Sequence, residues 1–117
     1  MFKKINISPF NRVEGDLEIT IEVKDGKVQN ARSKGVMFRG FEILLKGRDP
    51  MDAIVFTPRI CGICGASHGV ASSAAIRNAW KSQMPDNAYR VRNIVLAIEI
   101  LMSHITHFYI LFAPDLT

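Results

Sequence analysis

The chain has 117 residues, with 15 Lys and Arg against 11 Asp and Glu, a formal net charge of +4 and 48% hydrophobic residues, which describes one modest globular domain. Its basic residues are scattered, the longest run being Lys3-Lys4, which excludes the clustered, aromatic-interleaved cationic surface of a nucleic-acid binder. Two cysteines are too few for a secreted disulfide framework, no apolar run follows Met1-Phe2-Lys3-Lys4 to make a signal peptide, and Glu99, Ser103, His104 and His107 interrupt the most apolar region, so no direct membrane span is expected. Synthesis in a reducing cytoplasm follows as the default.

The first third reads as strands. Ile5 and Ile7 alternate before Pro9, and a loop carries Pro9 to Asp16. Leu17, Ile19, Ile21 and Val23 alternate with Glu18, Thr20, Glu22 and Lys24, the period of a half-buried strand. Asp25-Gly26 predicts a type I′ hairpin turn, because both residue types tolerate positive φ, and residues 27–33 form the return strand. Helices follow. The pattern predicts a short helix over 38–46 ended by Gly47, then Asp49-Pro50 as an N-cap with Pro at the first helical position before a helix over 51–56. Pro58 breaks that element. A loop over 61–65 feeds a helix over 66–80, and Pro85-Asp86 opens a long helix to about Phe112, stopped before Pro114. At about 1.5 Å per residue this last helix extends on the order of 40 Å. Its second half, residues 98–112, is apolar on nearly every face, the composition of a helix inside a large protein.

The predicted class is therefore α+β: an amino-terminal antiparallel hairpin or sheet, then helices ending in a long buried helix. Residues 1–117 contain no Gly/Ser linker, low-complexity tract or repeat and read as part of a single domain. A hairpin and three helices cannot cover the last helix, so the chain is expected to be a piece of something larger or to live within a complex.

Chemistry concentrates in Arg59-Ile60-Cys61-Gly62-Ile63-Cys64-Gly65-Ala66-Ser67-His68. Thiolates are soft ligands, and Cys-x-x-Cys chelates one metal ion from a single turn. Helical spacing through the motif would turn Cys61, Cys64 and His68 to one side. A following helix N-terminus and Arg59 favour a thiolate, and Gly62 and Gly65 allow tight turns and close approach of a ligand. Two cysteines leave a coordination sphere half filled. One reading is a structural zinc module in which Cys61, Cys64 and His68 join one outside ligand. A thioredoxin-like redox pair fits less well, because it wants a strand before the motif, whereas a helical stretch and Pro58 precede it.

Arg59-Ile60-Cys61-Gly62-Ile63-Cys64 with His68 resembles the amino-terminal metal motif of the large subunit of nickel–iron hydrogenases. Arg12-Val13-Glu14-Gly15 is similar to that family's Arg-x-Glu-Gly loop, Phe38-Arg39-Gly40-Phe41-Glu42 and Gly47-Arg48-Asp49-Pro50 to the segments ahead of the cysteines, and His107-Phe108-Tyr109 to the motif on its long helix. The resemblance covers nearly the whole chain and implies part of a mainly helical large-subunit fold. It implies reversible heterolytic cleavage of H2 to protons and electrons, with Cys61 as a terminal nickel ligand and Cys64 bridging nickel and an iron that carries carbon monoxide and cyanide. Glu14 is implied as the proton carrier, since a carboxylate in a dry site can exchange protons near neutral pH; the residues alone also allow a loop carboxylate paired with Arg12. Glu42 is implied as a magnesium ligand, against a solvent-facing helix carboxylate. His68 is implied as a hydrogen-bond donor to a cysteine sulfur, and His104 and His107 as packing residues. An iron–sulfur small subunit and maturation factors are the implied partners, and the final site is cytoplasmic or membrane-associated, with export directed only by the partner. Two features depart from the family's pattern: Asp16 follows Gly15 where many relatives carry His, and a second Cys-x-x-Cys is absent. With two protein thiolates instead of four, these 117 residues are expected to be inactive alone.

Overall fold

The computed structural model describes residues 1–10 and 12–117 and separates into two compact units, Met1–Arg39 with Leu111–Thr117, and Gly40–Ile110.

The first unit is a three-stranded antiparallel sheet of β1 (Phe2–Phe10), β2 (Leu17–Lys24) and β3 (Lys27–Gly35), in the order β1-β2-β3. Register follows the predicted alternation: Ile5 lies opposite Ile21 and Ile7 opposite Ile19, while Ile21 faces Ala31 across the other seam. On the polar face the Thr20 hydroxyl donates to Asn6 Oδ1 at 3.1 Å and Asn30 Nδ2 donates to Glu22 Oε2 at 3.3 Å. Asp25 and Gly26 both have positive φ, 51° and 75°, the signs that a type I′ turn requires. β1 starts earlier than the Ile5/Ile7 pattern implies and runs past Pro9, because the central strand offers partners along its whole edge; the register shifts between Ile7 and Phe10, where Pro9 has no N–H to give. The predicted loop over 9–16 is therefore shorter, and its Asn11 lies outside the described residues.

The second unit holds α1 (Phe41–Leu45), α2 (Asp52–Phe56), a 3-10 turn (Thr57–Arg59), α3 (Gly65–Trp80) and α4 (Asp86–Thr106). Asp49 caps the turn into α2 as its position before Pro50 predicts: its Oδ1 accepts the Met51 N–H at 2.8 Å. Arg48 braces the same turn, donating to the Leu44 carbonyl at 2.8 Å and lying 4.8 Å over the Phe56 ring. After α4 the chain widens into a π-helical turn (His107–Phe112) that carries the His107-Phe108-Tyr109 segment. It then tightens into a 3-10 turn (Ala113–Leu116), with Pro114 at its start, where no intrahelical N–H is needed.

Two expectations about the long helix need correction. It is not buried: Ile98 and Leu101 are 61% and 62% exposed, and among the described residues no hydrophobic side chain is buried at all. Ile94, Ile98, Leu101 and Ile105 stand open along α4. Nor do the polar interruptions disqualify the region by composition. Asp86–Leu116 is a continuous 31-residue helical run, with mean hydropathy 1.8 in its most apolar stretch, long and apolar enough to cross a membrane. Ser103, His104 and His107 are only mildly polar, and Glu99 is the one full charge in residues 93–110. A helix packed inside a soluble protein has the same composition, and the bonds of Glu99 described below place the middle of α4 against protein.

Candidate metal centre

The Cys-x-x-Cys segment is held between the 3-10 turn and α3. Pro58 lies against α3 where two glycines leave room: a Cβ on Gly65 would stand 3.1 Å from the Pro58 carbonyl oxygen, and one on Gly69 would stand 3.4 Å from Pro58 Cγ. A Cβ on Gly62 would meet nothing within 4 Å. Gly65 thus serves helix packing, not the ligand approach expected from sequence. Alongside, the Thr57 hydroxyl lies 3.0 Å from Ser72 Oγ and 3.3 Å from the His68 carbonyl oxygen, and Ser72 Oγ donates to the Gly69 carbonyl at 3.0 Å. These bonds fix where the chain leaves the turn at Arg59 and where it re-enters a helix at Gly65.

Between those points Cys61 and Cys64 occupy a non-helical bend, as the glycine-flanked spacing predicts, so one helical face does not carry Cys61, Cys64 and His68 together. The Cys64 N–H donates to Cys61 Sγ at 3.3 Å. Both thiols are half-buried and neither is in a disulfide. Cys64 stands at the N-cap position of α3, and His68 sits in the first turn, donating its backbone N–H to the Cys64 carbonyl at 3.3 Å.

A cysteine is a poor N-cap, and its side chain makes no capping bond here. The orphan donors of α3 are met from another helix. Glu99, in the middle of α4, accepts the Ala66 N–H at 2.7 Å and the Ser67 N–H at 2.8 Å, and the Ser67 hydroxyl adds a third, short bond. The Ser67 hydroxyl foremost, then the Ala66 and Ser67 amides and the charge of His68, hold the Glu99 carboxyl below its ordinary value, against the opposing effect of desolvation. The donors expected from sequence to steady a thiolate are therefore occupied by a carboxylate. From sequence Glu99 reads only as an interruption of an apolar stretch. The signal available was a lone acid amid an apolar helix, which must find partners if it is covered.

Glu14 is in the bend between β1 and β2 and lines an open cavity of about 370 Å³ with Val13, Asp16, Leu17 and Met37. Its neighbour Arg12 bonds Asp115, with Nε at 2.6 Å from Oδ2, and lies 5.6 Å over the Phe112 ring. Glu42 is exposed in the first turn of α1. Among the described residues no three His, Cys, Asp or Glu side chains are placed to hold one metal ion. The zinc module of Cys61, Cys64 and His68 thus finds no support. The donor set is instead that of half a soft-metal site: two neighbouring sulfurs, one already polarised by an amide.

The family model for nickel-dependent hydrogenase matches residues 39–117, and a HoxL-like model matches residues 4–36. The chain is 48% identical over 112 residues to the periplasmic [NiFeSe] hydrogenase large subunit of Desulfomicrobium baculatum, covering 96% of this chain and 22% of that protein. It is 44% identical over 114 residues to the uptake hydrogenase large subunit of Rhodobacter capsulatus, covering 97% and 19%. The solved Ni-Fe-Se hydrogenase from D. vulgaris Hildenborough in the reduced state superposes with a TM-score of 0.75 at 43% identity, over 98% of this chain and 24% of that one. The chain thus spans about a fifth of the length of the curated relatives it matches.

Proposed function

The chain belongs to the nickel-dependent hydrogenase family, and from that premise we propose that it carries the amino-terminal half of the nickel–iron centre of a hydrogenase large subunit. The observation that carries this reading is the Cys61–Cys64 bend, with the Cys64 amide on Cys61 Sγ, inside the segment that the family model covers. When bound, nickel and an iron bearing carbon monoxide and cyanide supply the redox chemistry of reversible H2 cleavage to protons and electrons. The chain's own residues hold that pair and move the proton. Cys61 Sγ and Cys64 Sγ would hold the metals as soft thiolate ligands, and Cys64 Sγ would take up the proton that heterolytic cleavage releases. Glu14 relays it outward through its carboxylate. His68 bonds a cysteine sulfur and tunes it. Glu42 offers an oxygen to a magnesium ion.

Two thiolates are half of what such a centre needs, so the other donors come from outside these 117 residues, and the 117 residues alone do not turn over H2. The exposed apolar length of α4 is the surface on which the rest of the large subunit packs. An iron–sulfur small subunit accepts the electrons, maturation factors insert the metals, and that partner directs any export. Metal analysis, infrared spectroscopy and H2-dependent dye reduction of the complete large and small subunits test the reading. Nickel with carbon monoxide and cyanide bands, both lost in Cys61→Ser and Cys64→Ser, are the expected result. Zinc without such bands, or dye reduction by the 117-residue chain alone, overturns it.

A further inference from the structure

Among the described residues only Ser72 and Glu99 are buried, and both brace α3. Ser72 ties its side to Thr57 of the 3-10 turn, while Glu99 grips its end. No apolar side chain among the described residues is buried, yet a carboxylate is covered, 33 residues away in sequence from the Ala66 amide it accepts. A residue that served only helix capping would ordinarily sit at the N-cap itself. Here that position is taken by Cys64, whose sulfur has other work, and the cap is supplied across the helix pair.

The geometry has a mechanical consequence. Gly65 sits against Pro58 on one side, and the amides of Ala66 and Ser67 are held by Glu99 on the other. The residues just after Cys64 are therefore fixed in two directions, and with them the Cα–Cβ direction of Cys64. It also has an electrostatic consequence. The carboxylate places negative charge at a helix end that would otherwise present unshared positive N–H dipoles beside the sulfur.

We propose that Glu99 is a positioning residue for the metal centre: by clamping the first turn of α3 onto α4 it sets where the Cys64 sulfur points and how much electron density it gives. The inference rests on the nickel–iron reading above. It assigns Glu99 no contact with the metals and no proton-transfer role.

Glu99→Leu removes the clamp. Glu99→Gln keeps its length and one acceptor oxygen but offers an NH2 group to the second donor. Ser67→Ala deletes only the hydroxyl bond. In the complete large and small subunits, the infrared bands of carbon monoxide and cyanide shift most in Glu99→Leu and less in Glu99→Gln and Ser67→Ala. Hydrogen exchange at the Ala66 and Ser67 amides is about tenfold faster in Glu99→Leu, as expected for loss of a charge-assisted bond, and intermediate in Glu99→Gln. If Glu99→Leu does not fold, Glu99→Gln and Ser67→Ala carry the same ordering. Faster exchange with unchanged bands overturns the proposal, because Glu99 is then only a helix cap. Wild-type exchange in both Glu99 variants overturns it as well. A wild-type control without nickel or bands is a different failure, that of the nickel–iron reading, and it takes the positioning role with it.

Discussion

Adding one methyl group at two neighbouring glycines of α3 should move stability in opposite directions. Ala has about 1 kcal/mol better helix propensity than Gly in a helix interior. At Gly69 that gain is available, since the new Cβ would meet Pro58 Cγ at 3.4 Å, an ordinary contact with a ring that can give slightly. At Gly65 the gain is smaller, because the first residue of a helix makes fewer intrahelical bonds, and the new Cβ would stand 3.1 Å from a backbone carbonyl oxygen, 3.8 Å from Pro58 Cβ and 3.9 Å from its carbonyl carbon. Thr57, next to Pro58, is bonded to Ser72 of α3, and that bond opposes a retreat of the turn. Overpacking of this kind costs about 1–3 kcal/mol. Gly65→Ala should therefore lose about 1–2 kcal/mol net and Gly69→Ala gain roughly 0.5 kcal/mol. Thermal melting of the complete large subunit by circular dichroism reads the order: Gly65→Ala lowest, wild type, then Gly69→Ala. Nickel content should fall in Gly65→Ala alone, since displacing Pro58 displaces the bend that holds Cys61. A Gly65→Ala protein melting at or above wild type, or a Gly69→Ala protein as damaged as Gly65→Ala, would refute the packing argument.

Other outcomes follow from the ionic contacts. The Glu99 carboxyl is held below its ordinary value in the fold, so the folded state binds fewer protons there than the unfolded chain. Its contribution is present above the unfolded value near 4.5 and is lost as pH falls through the folded one. Acid titration of Glu99→Gln should then show a shallower loss of stability below about pH 4.5 than wild type; equal slopes would contradict the bonding described. Arg12 and Asp115 are both about half exposed, so Asp115→Ala should cost less than about 1 kcal/mol. Arg12→Ala should cost more than Asp115→Ala, because it also forfeits the Phe112 ring contact. The cost of Asp115→Ala should shrink in 1 M salt, where screening acts within about 3 Å, and a difference that salt leaves untouched would rule out an ionic origin.

Where the readings from sequence succeeded, the cause was local. The hairpin at Asp25-Gly26 depends on two residues that tolerate positive φ, and the sheet register on an alternation that repeats every second residue. Asp49 announces a cap because the bond it makes spans two residues, and the Cys61–Cys64 bend lies where its glycines and its distance from Pro58 put it. The failures have a shared cause as well. That Gly65 makes room for Pro58 depends on a helix folding back on the turn before it. That α4 stands exposed depends on which segments pack against it, and no single residue reports that. The compositional argument against a membrane span fails because it gives Ser103, His104 and His107, which are only mildly polar, the weight of full charges.

By itself the sequence determined the order of strands and helices, the soft-donor pair at Cys61 and Cys64, and the family to which the joint motifs point, because each is written in residues within about one turn of one another. Only the tertiary structure decided what holds the cysteine bend in place. Glu99 reaches Ala66 and Ser67 across 33 and 32 positions, and Arg12 reaches Asp115 across 103. Contacts at such separation leave no periodic trace in the chain; they exist only once the helices and strands have packed and a buried charge has had to find its donors.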